Sequence, residues 1–172
     1  ILDLCLSKVF DAAPNGFVLV DTQGKIMLAN IRLQQMFGYE ASALMGQQIE
    51  MLLPEQFRNH HPRLRESYAQ APQTRSMGSG RDLFALHADG HEFPVEIGLN
   101  PLATPQGTMI LASVVDITER TRLENSFRNI FEASPYGLLM VDHHSRIFMA
   151  NRRMEGIFGH ATYELEGQQL DV

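Results

Sequence analysis

Histidine is the residue type in this chain best suited to binding a metal or moving a proton, and seven histidines are present. Four of them form the adjacent pairs His60–His61 and His143–His144. Neither pair has the i, i+4 spacing that directs two imidazoles from one helix towards one metal ion, so no structural zinc site is predicted there. His87 and His91 flank the turn signal Asp89–Gly90 and can approach across a hairpin, but we expect a solvated hairpin end.

Nucleophilic and phosphate-binding chemistry have little support in the sequence. Cys5 is the only cysteine, which excludes an intrachain disulfide and a thiolate zinc cluster. The short segment Gly78-Ser79-Gly80 is too weak a pattern to predict a phosphate-binding loop. No nucleophile, base and orienting residue converge in the pattern, so the sequence does not predict an enzyme.

The charge balance argues against a nucleic-acid partner or contact with an anionic membrane. Lys and Arg total 14 against 20 Asp and Glu, for a net charge of -6, and 44% of the residues are hydrophobic. These values predict a folded acidic domain, without the cationic surface that phosphate backbones require. No apolar run reaches the roughly 18–20 residues of a membrane helix, and no signal peptide is evident, so we expect a cytoplasmic location. Because the chain begins at Ile1, we expect it to belong to a longer protein, which can be membrane-anchored elsewhere.

An internal repeat organises the elements that position these residues. Sliding the sequence by 121 positions aligns residues 10–51 with residues 131–172 without a gap. About 16 positions are identical, among them Phe10 and Phe131, Asn30 and Asn151, and Gly38 and Gly159. Because self-similarity at a fixed period indicates repeated structural units, the sequence predicts one complete unit and the first part of a second. The incomplete sheet of the second unit is predicted to leave an apolar edge that pairs with another chain or stays poorly ordered.

Turn signals and alternating apolar residues predict an antiparallel sheet. Residues 16–21 and 25–30 form a predicted hairpin, and residues 81–87, 93–99 and 109–115 are three further strands. Between the second and third strands, Asn30 and Gly38 can cap a short helix, and Phe57, His61, Leu64 and Tyr68 share one helical face. Pro62 is predicted to kink that helix or to start a new turn. Five antiparallel strands with helices inserted after the second predict an α+β fold.

An amphipathic helix is predicted between the two units. Asp116 and Glu119 fit a capping box, with Asp116 as the cap and Thr118 in the first turn. Leu123, Phe127 and Ile130 follow at spacings that place them in one apolar seam. The seam can pack on its own domain or against a second chain, and the sequence leaves both arrangements open.

The combined pattern resembles the PAS domain family. The matching segments are the opening at residues 10–16, the helix end Phe37-Gly38-Tyr39, the hairpin at residues 88–96 and the exit at residues 115–120. The resemblance implies a PAS fold over residues 6–120, a linker helix over residues 116–131 and the first part of a second PAS domain over residues 125–172. The chain is therefore identified as a tandem PAS fragment.

The resemblance to PAS domains also implies a function in sensing rather than catalysis. In that family a ligand, a redox change or a partner alters the domain, and the exit helix passes the change to an output domain. Asp116, Thr118 and Glu119 would relay the signal here, and Leu123, Phe127 and Ile130 would form the seam of a homodimer. The output domain, of histidine-kinase or cyclic-dinucleotide type, would lie elsewhere in the polypeptide.

The resemblance leaves the cofactor open. Residues 53–61 resemble the segment that supplies the proximal haem ligand in the oxygen-sensing FixL family, and His61 falls at the ligand position. Arg81 matches an arginine that contacts bound oxygen or a propionate, and Val95, Ile97 and Leu99 match the apolar distal wall. A neutral imidazole can ligate haem iron and leave the opposite side open to a gas.

The predicted pocket can also hold another cofactor or no cofactor. Flavin is disfavoured because the chain has no tryptophan and no cysteine in an Asn-Cys-Arg-like motif. Without haem, His61 would pack in the core and Arg81 would pair with a carboxylate such as Glu96. The sequence thus predicts a sensory PAS module, with a haem-based gas sensor and a ligand-free dimerisation module as alternatives.

Overall fold

The computed structural model describes residues 2–77, 82–105 and 107–170, with side chains from Ser7 onward. The chain divides into two compact units between Glu119 and Arg120. Among the helices in the described stretches, none combines the length and the apolar character needed to cross a membrane.

The first unit is an antiparallel sheet with a group of helices inserted after its second strand. In chain order its elements are α1 (Leu2–Asp11), β1 (Gly16–Val20), β2 (Ile26–Ala29), α2 (Ile31–Phe37), α3 (Ala41–Leu44), a 3₁₀ turn (Ile49–Leu52), α4 (Glu55–Arg58), α5 (His61–Gln70), β3 (Arg75–Ser76), β4 (Leu83–Leu86), β5 (Glu92–Thr104) and β6 (Gly107–Asp116). The strand order is β2-β1-β6-β5, and β3 and β4 pair with different segments of β5. The predicted α+β fold is confirmed, with α1 and the two-residue β3 as additions.

The core of the first unit lies on the helix-covered face of the sheet. Buried and half-buried residues alternate along β1, and the buried residues of β6 are Ile110, Ala112 and Val114. This period of two puts every second side chain on the core face. The predicted face of β5 is also present, because Phe93 and Val95 are buried and Ile97 and Leu99 pack against the same core.

The second unit repeats the start of the first. It contains most of α6 (Thr118–Ala133), followed by β7 (Leu139–Val141), β8 (Ile147–Ala150), α7 (Arg152–Phe158) and α8 (Thr162–Leu165). Its small core centres on the buried residues Ile147, Ala150 and Met154. In the described residues, β7 and β8 pair only with each other. The expectation that their free edges pair with another chain stays a prediction.

The buried amide of Asn30 holds the beginning of the first unit together. Its Oδ1 accepts hydrogen bonds from the backbone N–H groups of Phe17, at 2.8 Å, and Leu33, at 3.0 Å. Its Nδ2 donates to the carbonyl oxygens of Phe10 and Asn15, both at 3.0 Å. Asn30 is therefore the predicted cap of α2 and also the connection between the end of α1, the following loop and β1.

Asn151 makes three of the four equivalent contacts in the second unit, 121 positions later, but its side chain does not cap α7. Its Oδ1 accepts from the Leu138 N–H at 2.9 Å, and its Nδ2 donates to the carbonyls of Phe131 and Tyr136 at 3.0 and 2.9 Å. Both asparagines are 0% exposed. The identity of residue type at this position of the repeat is thus explained by a buried amide that must satisfy several backbone groups at once.

The helical face predicted from Phe57 to Tyr68 is divided between two helices. Helix α4 ends at Arg58, and α5 begins at His61 with Pro62 in its first turn. Proline is tolerated in a first turn because the backbone N–H there lacks a helical acceptor. Of the two outcomes expected for Pro62, the start of a new turn is the one found.

The predicted capping box at the start of the linker helix is wrong in detail. Helix α6 begins at Thr118, and the Asp116 carboxylate accepts a hydrogen bond from the Thr118 N–H at 2.8 Å. This hydrogen bond closes a local turn between Asp116 and the second residue after it, whereas a capping box requires a bond to the third residue, Glu119. Strand β6 continues through Asp116, so this residue is extended and lies one position too early to be the cap.

We predict that Asn30→Ala lowers the free energy of unfolding of the first unit by about 3 kcal/mol, because four backbone groups lose a buried partner. Urea denaturation of the chain measures the change. Gln35→Ala, at an exposed position of the same helix, is the matched control and should change stability by less than about 0.5 kcal/mol. Equal stability of the two variants would contradict the role assigned to the amide.

Candidate functional site

The candidate site is a cavity of about 310 Å³ inside the first unit. Apolar side chains from the sheet form one wall, and the 3₁₀ turn, α4 and α5 supply the opposite side. Lining residues from the sheet include Val18, Val20, Ala85, Ile97, Leu99, Ile110, Ala112 and Val114, and those from the helical side include Leu52, Phe57, His61, Leu64, Arg65 and Tyr68. The volume falls at the lower end of the roughly 300–1,000 Å³ found for small-molecule sites.

Helix α5 lines this cavity with one face, which carries several of its polar groups. His61, Leu64, Arg65 and Tyr68 all line it, at the i, i+3, i+4 and i+7 positions that share a side of an α-helix. The Tyr68 hydroxyl donates a hydrogen bond of 2.6 Å to the Gln73 carbonyl, which fixes the ring beside the end of the helix. The guanidinium of Arg75 lies over this ring, 4.8 Å from its centroid, so β3 adds a second cation to the cavity wall.

His61 belongs to a compact cluster of ionisable side chains. Nδ1 of His61 lies 2.9 Å from Oε1 of Glu50, and Nε of Arg65 lies 3.5 Å from the same oxygen. The side chains of His61, Glu50 and Arg65 are only 17%, 12% and 15% exposed. Because a carboxylate only accepts, the imidazole donates from Nδ1, which leaves Nε2 as the nitrogen with a free lone pair in the neutral ring.

Arg65 is only partly satisfied by this cluster. Neither Nε nor Nη1 of Arg65 has a hydrogen-bond partner among the described residues, although both atoms are buried. The guanidinium packs against Gly24, where it occupies the place that a Cβ would take. Gly24 also has a φ of +82°, so both its conformation and its contact with Arg65 favour glycine at this turn.

The residues predicted for the haem-type pocket are brought together only in part. His61, Ile97 and Leu99 line the cavity, whereas Val95 is buried in the neighbouring core and does not line it. Arg81 lies outside the described residues. The seam residues Leu123, Phe127 and Ile130 all lie exposed on α6.

Sequence reasoning missed Glu50 and Arg65. The i, i+4 spacing from His61 marks Arg65 as a residue on the same helical face, so this signal was available. Glu50 lies in a single 3₁₀ turn. Segments this short have no periodicity from which a side-chain direction can be predicted.

A second polar cluster lies at the tip of the β4–β5 hairpin. Oδ1 of Asp89 is 2.9 Å from Nδ1 of His87 and 2.6 Å from Nδ1 of His91. Hydrogen bonds from the backbone N–H and the ring of His91 lower the pKa of Asp89 from 3.8 to about 2. The two imidazole rings stack with their centroids 4.6 Å apart. The two histidines therefore approach across the hairpin, and the tip is also solvated as expected, since the side chains of His91 and Asp89 are 58% and 61% exposed.

Comparison with known proteins identifies the family. A family model for the PAS fold matches residues 6–117, and a second, for a PAS domain, matches residues 125–172. The chain belongs to the PAS family. Its first unit is thus a PAS sensory domain of the kind found in signalling proteins, and its second unit matches a PAS domain as well.

Curated PAS proteins share modest sequence identity with the chain. It is 24% identical over 160 residues to the oxygen sensor protein DosP of Escherichia coli, covering 91% of this chain and 20% of that protein. It is 23% identical over 119 residues to the sensor protein FixL of Bradyrhizobium diazoefficiens, covering 69% of this chain and 24% of FixL. The chain thus spans a quarter or less of the length of these two relatives.

Solved PAS structures share the fold. The PAS domain of an HTR-like protein from Haloarcula marismortui superposes with a TM-score of 0.59 at 22% identity, over 67% of this chain and 92% of that domain. A PAS domain from Colwellia psychrerythraea gives a TM-score of 0.59 at 24% identity, over 70% of this chain and 100% of that domain.

We predict that Glu50→Ala destabilises the first unit by about 3 kcal/mol, because it leaves the buried Arg65 without its counter-ion. Glu55→Ala, at an exposed position nearby, is the control and should have an effect below about 0.5 kcal/mol. A double-mutant cycle with Arg65→Met, measured by urea denaturation, gives the coupling energy between Glu50 and Arg65 directly. Additive effects of the two substitutions would show that the pair does not interact.

Proposed function

We propose that the first PAS domain binds a small, mainly apolar molecule in its cavity and relays this event to an output domain elsewhere in the polypeptide. The carrying observation is that β6, the strand that ends at the linker helix, also lines the cavity. Ile110, Ala112 and Val114 of this strand line the cavity. If β6 can adopt two positions, a ligand that binds one of them more tightly would shift the population of the domain towards that position.

The lining of the cavity defines the chemical class of the ligand. Most lining residues are aliphatic or aromatic, which favours an apolar body of modest size. The polar groups His61, Arg65 and Arg75 also line the cavity. Arg65 and Arg75 present N–H donors, whereas the Nε2 lone pair of neutral His61 is an acceptor, so the ligand would carry a polar group able to pair with one of them.

The relay would run through the end of β6. Asp116 is two residues after the lining residue Val114 and accepts the hydrogen bond from the Thr118 N–H. The Ile117 N–H donates to the Pro94 carbonyl at 3.1 Å, which joins this same point to β5. Displacement of either strand would therefore act on the first residues of α6, including Thr118 and Glu119.

Haem is the second candidate occupant, with His61 as the iron ligand. The observation that favours it is the Glu50 carboxylate 2.9 Å from His61 Nδ1. Metal-binding histidines commonly donate their other ring N–H to a carboxylate, so the donor chemistry fits. Bound haem would supply a gas-binding iron, with His61 as its ligand and Ile97 and Leu99 excluding water. The volume of about 310 Å³ favours a smaller occupant, so haem ranks second.

The linker helix would also pair two copies of the chain. Leu123, Phe127 and Ile130 are 65%, 49% and 75% exposed, which is unusual for three apolar residues in one seam. A homodimer joined by this seam would bury them. If the cavity binds nothing, dimerisation through this seam is the remaining function of the module.

The absorbance spectrum of protein expressed with a haem precursor separates the two occupants. If haem binds, we expect a strong porphyrin band. The band should shift after the iron is reduced and carbon monoxide is added, and it should be lost in His61→Ala. A colourless protein excludes haem and leaves two candidates, the small-molecule sensor and the ligand-free dimerisation module. Phe57→Ala, which lines the same cavity but offers no ligand atom, is the matched control and should keep the band if His61 holds the iron.

Indole binding, measured by ligand-observed NMR, tests whether the cavity is a small-molecule site. We expect Ala112→Phe to weaken indole binding by about tenfold or more, because the added ring fills part of the cavity. Thr108→Phe adds the same ring at an exposed position of β6 and should leave binding unchanged. Equal binding by both variants, with thermal unfolding showing that each is folded, would contradict ligand binding in this cavity.

We predict that Asp116→Ala uncouples the domain from its output without unfolding it. Amide hydrogen exchange should become faster at Thr118 and its neighbours, while the loss of stability stays within about 1 kcal/mol, because a single exposed hydrogen bond is removed. The exposed residue Glu124, paired with Arg120 at 3.0 Å, provides the control Glu124→Ala. A full-length protein with Asp116→Ala that still responds to its signal would rule out this relay.

A further inference from the structure

The tip of the β4–β5 hairpin collects three groups that bind transition metals. One ligand atom from each of His87, Asp89 and His91 lies within 4.8 Å of the other two. Imidazole nitrogen and carboxylate oxygen are the donors that Zn²⁺ uses in sites that keep one position for water. The three residues come from a segment of five, so their proximity depends on one turn.

The hairpin turn arranges these groups through its backbone. The His87 N–H donates to the His91 carbonyl at 2.9 Å, and the Gly90 N–H donates to the His87 carbonyl at 2.9 Å. Gly90 has a φ of +95°, a conformation that glycine adopts without strain. The Asp89 carboxylate accepts the His91 N–H at 3.0 Å and is thereby held between the two rings. Little reorganisation is then needed before a cation binds.

Hydrogen bonds do not fully satisfy the polar atoms of the cluster. His87 Nδ1 is 3.3 Å from the Asp89 N–H, which donates to it, and it is also 2.9 Å from Asp89 Oδ1. In a neutral ring, a nitrogen that accepts the backbone N–H presents a lone pair and has no proton to give the carboxylate. Two electron-rich atoms would then face each other. A cation bound to both removes this repulsion.

We propose that His87, Asp89 and His91 form a binding site for a divalent transition metal such as Zn²⁺, with water completing the coordination. Donor atoms of a tetrahedral zinc site with bonds of about 2.0 Å lie about 3.3 Å apart. Asp89 Oδ1 must therefore move about 0.4 Å further from His87 Nδ1 and about 0.7 Å further from His91 Nδ1. Asp89 and His91 have side chains 61% and 58% exposed, so both can make this adjustment.

His87 is the fixed member of the site. Its side chain is 23% exposed, and its ring packs against Gly38 at the end of α2. The next residue, Ala88, donates its N–H to the Phe37 carbonyl at 2.9 Å. Phe37 and the β4 residues Phe84 and Ala85 line the cavity. A bound metal would thus restrain the hairpin that supplies part of the cavity wall.

Isothermal titration calorimetry of the chain without a polyhistidine tag tests the site, with ZnCl₂ as the probe and MgCl₂ as the comparison. We expect one equivalent of Zn²⁺ to bind and Mg²⁺ to give no binding heat, because Mg²⁺ prefers oxygen ligands. His91→Ala and Asp89→Asn should each weaken Zn²⁺ binding by about tenfold or more. Asparagine keeps a side-chain acceptor for the turn, and circular dichroism verifies that both variants fold.

His144→Ala is the matched control, since it removes an imidazole from another exposed turn, where the rings of His143 and His144 lie 3.9 Å apart. Zn²⁺ affinity should be unchanged in this variant. Paramagnetic broadening by Cu²⁺ should be strongest in the amide NMR signals of residues 87–91. The proposal is overturned if Zn²⁺ does not bind, if His91→Ala binds as tightly as the parent chain, or if binding is lost with His144→Ala.

Discussion

The buried amide of Asn30 is the interaction on which the rest of the PAS unit depends. Folding of this region brings together the end of α1, a loop, the first strand and the start of α2, and each of these leaves backbone groups without regular partners. One amide with two donors and two acceptor lone pairs satisfies four of them at once. These contacts fix β1, which lines the cavity with Val18 and Val20, to the ends of α1 and α2.

Prediction from sequence succeeded where structure is determined locally. The β1–β2 hairpin, the Asn30 cap and the Gly38 end of α2, with a φ of 73°, each follow from a few neighbouring residues. Helix α1 was missed although the repeat aligns its Phe10 with Phe131 in the predicted linker helix. The capping box failed because pairing with β5 extends β6 through Asp116, and a local pattern does not contain that tertiary constraint.

The candidate site was harder to predict because its key contacts are distant in the chain. His61 and Arg65 meet Glu50 across a change of direction between the 3₁₀ turn and α5. Placing three ionisable groups in a mostly buried cluster costs desolvation energy that a core of aliphatic residues would avoid. Selection for stability alone does not favour such a cluster. Its position beside an apolar cavity is therefore a stronger indication of function than His61 alone.

The linker helix has two anchors of different kinds, and this bears on how a signal would leave the first domain. At its beginning, the Thr118 N–H is held by Asp116, directly after the strand that lines the cavity. At its end, the Phe131 carbonyl accepts from Asn151, and the Glu132 carboxylate accepts the Arg152 N–H at 3.0 Å. The equivalent contacts in the first unit join α1 to Asn30 and Ile31. One helix thus follows the last strand of the first PAS unit and begins the second, where its end takes the place that α1 takes in the first unit.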